Sequence, residues 1–402
     1  MFRRDFLKNC GFLSVGTFLA YGETFKSFAE AANSNELYKH KINCVEFGQI
    51  QYNFPRLVGK NARKGLHGKH KQCWYTKICT NQGACGWGLT TAPGKHSTML
   101  KETLLGKTLD QVFVPSVGIA EGVNPRFDIA LHDIAGIILN LPVYKILGAT
   151  GPKETRIYSG MIYFDELKYK GNPGGINTVM KNCRWDYDYG YRQLKVKIGR
   201  SGKWYEHDKG LAMDIEIVRM IHDEFGDEVD ILVDANDMYS LDDTIAFLKG
   251  VEGVPIYWME EPFIESLEDG RKLKDWMMAN GRKETRYADG ERAPKIDVCM
   301  KLAKEGKLDV FLADIFSYGM TPWRRLMPSL NKTNTSASPH TWGNRLKTNY
   351  TAHLAAGLGN VCTIEGVTCI SDDIDYGDYK IIDGKIQVSE KPGFGMKILN
   401  TK

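Results

Sequence analysis

The 402-residue chain has no long basic run, no C-x-x-C pair and no histidine cluster. It also has no apolar stretch long enough for a comfortable transmembrane helix. Each absence excludes something. With a net charge of only +4 and no basic stripe, nucleic acid is a poor candidate for the main partner. Without paired cysteines beside histidines, a zinc site has no ligand set. No glycine-rich phosphate fingerprint follows an early strand, which leaves a doubly wound open sheet as the weaker architecture. What is present is ordinary for a soluble folded protein, with 43% hydrophobic and 25% charged residues. The length suits an α/β barrel with additions, or one large domain plus a smaller one.

The N-terminus differs from the rest. Arg3-Arg4-Asp5-Phe6-Leu7-Lys8, an apolar stretch from Cys10 to Tyr21 and Ala29-Glu30-Ala31 follow one another in the layout of an export signal. The paired arginines followed by Phe-Leu-Lys resemble a twin-arginine signal, which carries folded proteins across a bacterial membrane. An ordinary basic N-terminus or an uncleaved anchor is the other reading. The twin-arginine reading assigns 1–31 to the signal, starts the mature chain near Ala32 and places it in the periplasm or otherwise outside a bacterial cytoplasm. Of nine cysteines, eight follow the signal. Cys73, Cys79 and Cys85 read as small buried hydrophobes in a strand hairpin, with a disulfide as the second option.

Alternating patterns dominate from Ile42 to Pro93, with Asn81-Gln82-Gly83 as a turn between two strands. The polar, basic, glycine-bearing segment from Arg56 to His70 reads as a mobile loop. Helical spacing of Phe127, Ile129, Ala130, Ile134, Ala135 and Ile138 predicts a helix that stops before Leu141-Pro142. From Glu154 onward short apolar runs alternate with helix-like stretches. The runs are Arg156–Ser159, Gln193–Ile198, Asp230–Asp234, Ile256–Glu260, Thr285–Ala288, Val310–Asp314, Ser336–His340 and Cys362–Glu365. Eight such strands predict an α/β fold, a modified (β/α)8 barrel over 154–370. An α+β capping domain over 32–153 precedes it, and a C-terminal segment over 371–402 packs back on the cap.

A barrel keeps its active site at the C-terminal ends of its strands, and there the runs carry polar residues. Lys195 and Lys197, two apart, share one strand face. If that face is the barrel interior, each ammonium disfavours the other's charge and lowers a lysine towards a usable base. Taken alone, K-x-K in a strand reads as a solvated face. Asp234, Glu260 and Glu291 follow on the next three strands. Three converging carboxylates without Cys or His point to Mg²⁺, with Mn²⁺ as the alternative, whereas single aspartates at such junctions are more often helix caps. Asp289 competes with Glu291 for the third position. Asp314 can orient His340 as a tuned acid or base, and Glu365, if held neutral, can donate to a substrate carboxylate. Asn236 and the basic residues Arg56, Lys60 and His67 are candidates for binding an anionic polyhydroxylated substrate.

This ordered set resembles the enolase superfamily, and its mandelate racemase subgroup in particular. The motifs are Lys195-Val196-Lys197, Asp234-Ala235-Asn236, Glu260-Glu261-Pro262, Gly290-Glu291, the pair Asp314 and His340, and Glu365. Outside the site, Phe127 to Asp133 with Leu141-Pro142-Val143-Tyr144, Gly83 to Gly88, and Pro392-Gly393-Phe394-Gly395 are similar to the family's linking helix, cap hairpin and C-terminal return. The resemblance implies that Asp234, Glu260 and Glu291 hold the metal and Lys197 is a base. It further implies that Asp314–His340 is a second acid–base pair and Glu365 an electrophile. It favours a small carboxylate substrate, a sugar acid, and a homo-oligomer. Acid-sugar dehydratase ranks first, epimerase or racemase second and cycloisomerase third. A sugar-acid binding protein without turnover is the reading from a different class.

Overall fold

The computed structural model describes residues 35–399. The arginine pair and the Ala29-Glu30-Ala31 site lie outside these residues. Two long alternating segments, β1 (Ile42–Val58) and β2 (Gly68–Thr80), pair antiparallel, and the Asn81-Gln82-Gly83 turn leads into β3 (Cys85–Thr90). Helix α1 (Asp128–Leu139) covers this sheet, burying Leu131 and Ile134 in one core with Val45 and Ile78. It stops ahead of Leu141-Pro142, as predicted, with Asn140 at φ 53° closing its end.

Two expectations for this region need correction. Cys79 and Cys85 are not buried hydrophobes: the antiparallel register sets them opposite each other at the hairpin's outer end, and they form a disulfide. Nor is 56–70 one free loop. Arg56 to Val58 continue β1, Gly68 begins β2, and the turn between them is tied to the barrel. The Lys60 carbonyl accepts from Phe164 N (2.9 Å) and the Asn61 carbonyl from Trp204 Nε1 (2.8 Å). Asn61 and Ala62 are buried by these contacts.

The eight apolar runs become eight strands: β4 (Glu154–Ile162), β5 (Gln193–Lys197), β6 (Asp230–Asp234), β7 (Ile256–Glu260), β8 (Arg286–Asp289), β9 (Val310–Phe311), β10 (Ser336–Ala337) and β11 (Ile364–Gly366). Each pairs in parallel with the next from β4 to β10. β11 pairs with β4, and a parallel bridge from Ala337 to Val361 joins the last gap. Strands covered on both faces can be apolar throughout. Leu194 and Val196 face the surrounding helices with Ile217 and Val218, while Tyr158, Leu232, Trp258 and Leu312 fill the lumen. A helix follows each strand from β4 to β10; after β11 the chain instead leaves for the C-terminal segment.

That segment serves both domains. β12 (Lys380–Ile382) and β13 (Lys385–Gln387) form a hairpin whose second strand adds antiparallel to β4. Further on, Phe394 N donates to Asp133 and the Met396 carbonyl accepts from Trp87 Nε1, fixing the chain to the cap. Tyr52, Phe54 and Val58 of the cap meet Met161, Tyr163 and Val367 of the barrel in a small core at the mouth.

Candidate active site

Strand register assembles the charged groups. Because side chains alternate, Lys195 and Lys197 both leave the apolar face on which Leu194 and Val196 lie. Parallel pairing then sets Lys197 level with Asp234, Asp234 with Glu260, and Glu260 with Ala288. Glu291 arrives one turn past β8 through Gly290, whose φ of 93° and packing leave no room for a side chain. A Cβ there would lie 2.6 Å from the Phe311 ring. Gly160 of β4 makes similar room for Glu365, since a Cβ on it would stand 2.5 Å from Oε1.

Lys197 contacts Asp234, and Lys195 Nζ lies 2.8 Å from Glu260 Oε1, 3.0 Å from Glu365 Oε1 and 3.5 Å from Asp234. The sequence predicts a lysine lowered by its neighbour; the structure overturns this. Burial does disfavour both ammonium groups, but the carboxylates around them outweigh it and hold both above the ordinary lysine value. Glu365 is corrected in the same sense. Burial alone would raise its carboxyl, yet Lys195 and His340, helped by the Thr341 amide, bring it down to about 2. Thr341 N and Trp342 N each donate to its Oε2 at 2.7 Å, so it is a carboxylate and not a neutral donor.

Across the cleft, His340 Nδ1 lies 2.8 Å from Asp314 Oδ2 and Nε2 lies 3.0 Å from Glu291 Oε1. Asp314 is anchored by the Phe316 and Ser317 amides and by Lys347 Nζ at 2.6 Å. Lys347 and His340 together overcome burial and keep Asp314 well below the usual carboxylate range.

Asp234, Glu260 and Glu291 bring carboxylate oxygens within 4.8 Å of one another. Glu260 Oε2 and Glu291 Oε2 are buried without a hydrogen-bond donor, and burial together with Asp234 pushes the Glu260 carboxyl up. Orphaned oxygens and mutual repulsion among hard donors fit a divalent cation such as Mg²⁺. Asp289, the rival third ligand, is turned to the Tyr287 hydroxyl and the Gly290 amide. It belongs to a second acidic group with Asp237 and Glu261.

Of the residues predicted to bind substrate, the structure brings two to the cleft. Asn236 lines it with a buried Oδ1 that has no donor, and His67 lines it from the cap. Burial lowers the His67 imidazole to about 4, so it is neutral. Arg56 is not at the site: its guanidinium holds buried Asp186 at 2.6 and 2.7 Å and the Met161 carbonyl. Lys60 is also absent from the lining, its ammonium lying 4.1 Å from the Trp204 ring centroid. Their basic character in the sequence reflected packing of the cap turn.

Three contributors escaped the sequence reading. Tyr163 lies one residue beyond β4, past the end assigned to that strand, and its buried hydroxyl has no partner. Trp342 follows His340 by two residues, and Lys347 lies in the first turn of the helix after β10 (Arg345–Leu358). Trp342 could have been found by extending the search two residues past the expected strand end at His340, whereas Tyr163 and Lys347 lie further beyond theirs. Tyr163 and Trp342 help line the cleft, about 590 Å³ to its open mouth, which holds Lys197, His340 and Glu291 together, while Lys347 acts from behind through Asp314.

A family described as Enolase C-terminal domain-like matches residues 179–402, more than half of the chain. A member of the D-galactonate dehydratase family from Oceanicola granulosus is 24% identical over 394 residues, covering 84% of this chain and 92% of the relative. Arabinonate dehydratase of Saccharolobus solfataricus is 24% identical over 362 residues, covering 84% and 91%. Among solved structures, galacturonate dehydratase from a Geobacillus species, complexed with D-galacturonate and 5-keto-4-deoxy-D-galacturonate, superposes with a TM-score of 0.81. It is 27% identical, with 90% of this chain and 95% of that one covered. A mutant of that enzyme complexed with Mg gives 0.82 at 28% identity, covering 90% and 94%. The chain belongs to the enolase superfamily.

Proposed function

We propose that the protein is a divalent-metal-dependent lyase that removes water from a sugar acid, giving a 2-keto-3-deoxy acid. The observation that carries this reading is the placement of two acid–base groups around three carboxylates, two of which, Glu260 and Glu291, keep an oxygen without a donor. Lys197 enters from β5 and His340 from the end of β10, with the ligand strands β6 to β8 between them one way round and β4 and β11 the other.

Removing a proton beside a carboxylate makes a dianionic enediolate, so the chemistry needs positive charge where that charge develops. Asp234, Glu260 and Glu291 would hold Mg²⁺, which when bound supplies electrophilic stabilisation of the substrate carboxylate. Lys195, fixed by Glu260 and Glu365, adds a buried ammonium to the same end. Despite burial, Asp234 holds Lys197 above the ordinary lysine value. With a cation on Asp234, Glu260 and Glu291 offsetting the carboxylates that raise it, Lys197 would take the α-proton from one face as the neutral amine. His340, oriented by Asp314, delivers a proton to the departing β-hydroxyl from the other. Glu365 acts by holding Lys195 and the Thr341-Trp342 backbone. A relative named L-Lys-D/L-Arg epimerase, 24% identical over 287 residues, illustrates the second reading. The same two bases could exchange the proton between faces and invert the centre.

The test is a panel of sugar acids in D₂O with Mg²⁺, followed by NMR. Keto-acid formation supports the dehydratase. Inversion with α-deuterium and no loss of water supports the epimerase, and neither outcome with any acid would sink both. We further propose export by the twin-arginine route and assembly into a homo-oligomer. Cell fractionation and light scattering check these two readings.

A further inference from the structure

Lys347 stands behind the Asp314–His340 pair. Its side chain rises from the first turn of the helix after β10, mostly buried, with the ammonium 5.6 Å from the Phe316 ring centroid. From there it reaches both loops that carry the pair. It donates to Asp314 Oδ2 at 2.6 Å in the loop after β9. It also donates at 3.2 Å to the Trp342 carbonyl, two residues beyond His340 in the loop after β10. Asp314 is its only carboxylate partner among the described residues. Burying an ammonium is costly unless it is paired, and both of these bonds end on the loops that position His340.

An ionised carboxylate offers about four acceptor positions, two on each oxygen. Asp314 has all of them filled. The Phe316 and Ser317 amides donate to Oδ1 at 2.9 and 2.7 Å. On Oδ2 the Lys347 ammonium meets the His340 ring, whose Nδ1 lies 2.8 Å away. The amides fix the oxygen turned away from His340, and Lys347 fixes the one turned towards it. Since a carboxylate only accepts, the ring proton on this side sits on Nδ1, which leaves Nε2 as the nitrogen that exchanges a proton in the cleft.

We propose that Lys347 is a positioning residue for the second acid–base group: by tying Asp314 Oδ2 to the Trp342 carbonyl it sets the loops after β9 and β10 so that His340 Nε2 meets the leaving hydroxyl. This rests on the dehydratase reading above. Lys347 itself transfers no proton. As the bond from the β-carbon to oxygen breaks, the proton on Nε2 passes to the departing oxygen, which leaves as water, and Nδ1–H stays on Asp314. No oxidant or further reactant is needed. Without Lys347 the α-proton is still removed at Lys197, but the proton for the leaving oxygen is misplaced and the intermediate returns to substrate.

The test compares the full chain with its Lys347→Met variant, each with Mg²⁺ in D₂O. The probes are galactonate, gluconate, arabinonate and galacturonate, and NMR follows both water loss and deuterium at the α-carbon. Methionine keeps an unbranched side chain and removes both donors. Water loss should slow by about 10–100-fold, part of the 10²–10⁴-fold that a positioned acid supplies, with KM and Mg²⁺ affinity within about twofold of wild type. Recovered substrate should meanwhile gain α-deuterium faster relative to product than in the wild type. A lysine needed only for packing would instead depress water loss and α-exchange together. That parallel loss, or water loss at the wild-type rate, overturns the proposal. If Lys347→Met does not fold, Lys347→Gln, which keeps a single donor, is read by the same split. Failure of the dehydratase reading shows in the wild type instead: none of the four acids loses water, and the proposal falls with it.

Discussion

Two groups of three carboxylates stand side by side at the barrel mouth, Asp234–Glu260–Glu291 and Asp237–Glu261–Asp289. The first faces Lys195, Lys197 and His340. Despite burial, the two lysines draw Asp234 down to about 2. The second faces mostly itself, with Arg63 on Asp237 and the Tyr287 hydroxyl on Asp289. There burial wins, lifting Asp237 to about 6 and Glu261 and Asp289 well above the carboxylate range. Converging acids are therefore not in themselves a metal centre. What distinguishes the first group is the cationic machinery around it and the oxygens left without donors.

The largest expected effect separates the two groups directly. Asp234→Asn should abolish Mg²⁺ binding and turnover, whereas Asp289→Asn, which removes a carboxyl that burial already pushes up, should leave both near wild type. Mg²⁺ calorimetry with steady-state kinetics reads the difference. Lys197→Ala should reduce kcat/KM by roughly 10²–10⁴-fold without unfolding the chain. Charge that holds the fold should behave in the opposite way. Arg56→Ala strands buried Asp186 and should cost about 3–5 kcal/mol in urea unfolding while the surviving folded protein keeps its kcat.

Gly290 joins the two groups, lying between Asp289 and Glu291. Gly290→Ala should weaken Mg²⁺ by about 10–100-fold by displacing Glu291. The smallest effect concerns pH. Because Asp237 is raised in the folded state, it binds protons that the unfolded chain releases first. Its stabilising contribution is present below about pH 4 and is lost as pH rises through about 6. Asp237→Asn should flatten stability over that window in unfolding titrations at pH 4 to 7.

Much of this architecture was legible because period-two burial and strand-end chemistry are local signals. All eight barrel strands and the helix ending before Leu141-Pro142 follow from residues near one another in sequence. The structure gathers Lys195, Lys197, Asp234, Glu260, Glu291, Asp314, His340 and Glu365 at one mouth for the same reason, since each residue sits at or just past a strand end. What failed depends on partners far away in the chain. Arg56 meets Asp186 across 130 positions, and the turn at Lys60–Ala62 is held by Phe164 and Trp204. Cys79 and Cys85 were misread because burial depends on where the hairpin ends, not on the residue type. The charge states of Lys195, Lys197 and Glu365 were misjudged because each was weighed against one neighbour instead of the whole cluster.

The most direct test of the central claim follows the α-hydrogen of a sugar acid in D₂O, with wild type and Lys197→Ala, each with Mg²⁺ and with a chelator. The account expects water loss with α-proton abstraction only in the wild type with Mg²⁺. Abstraction that survives chelation, or that proceeds unchanged in Lys197→Ala, would contradict it.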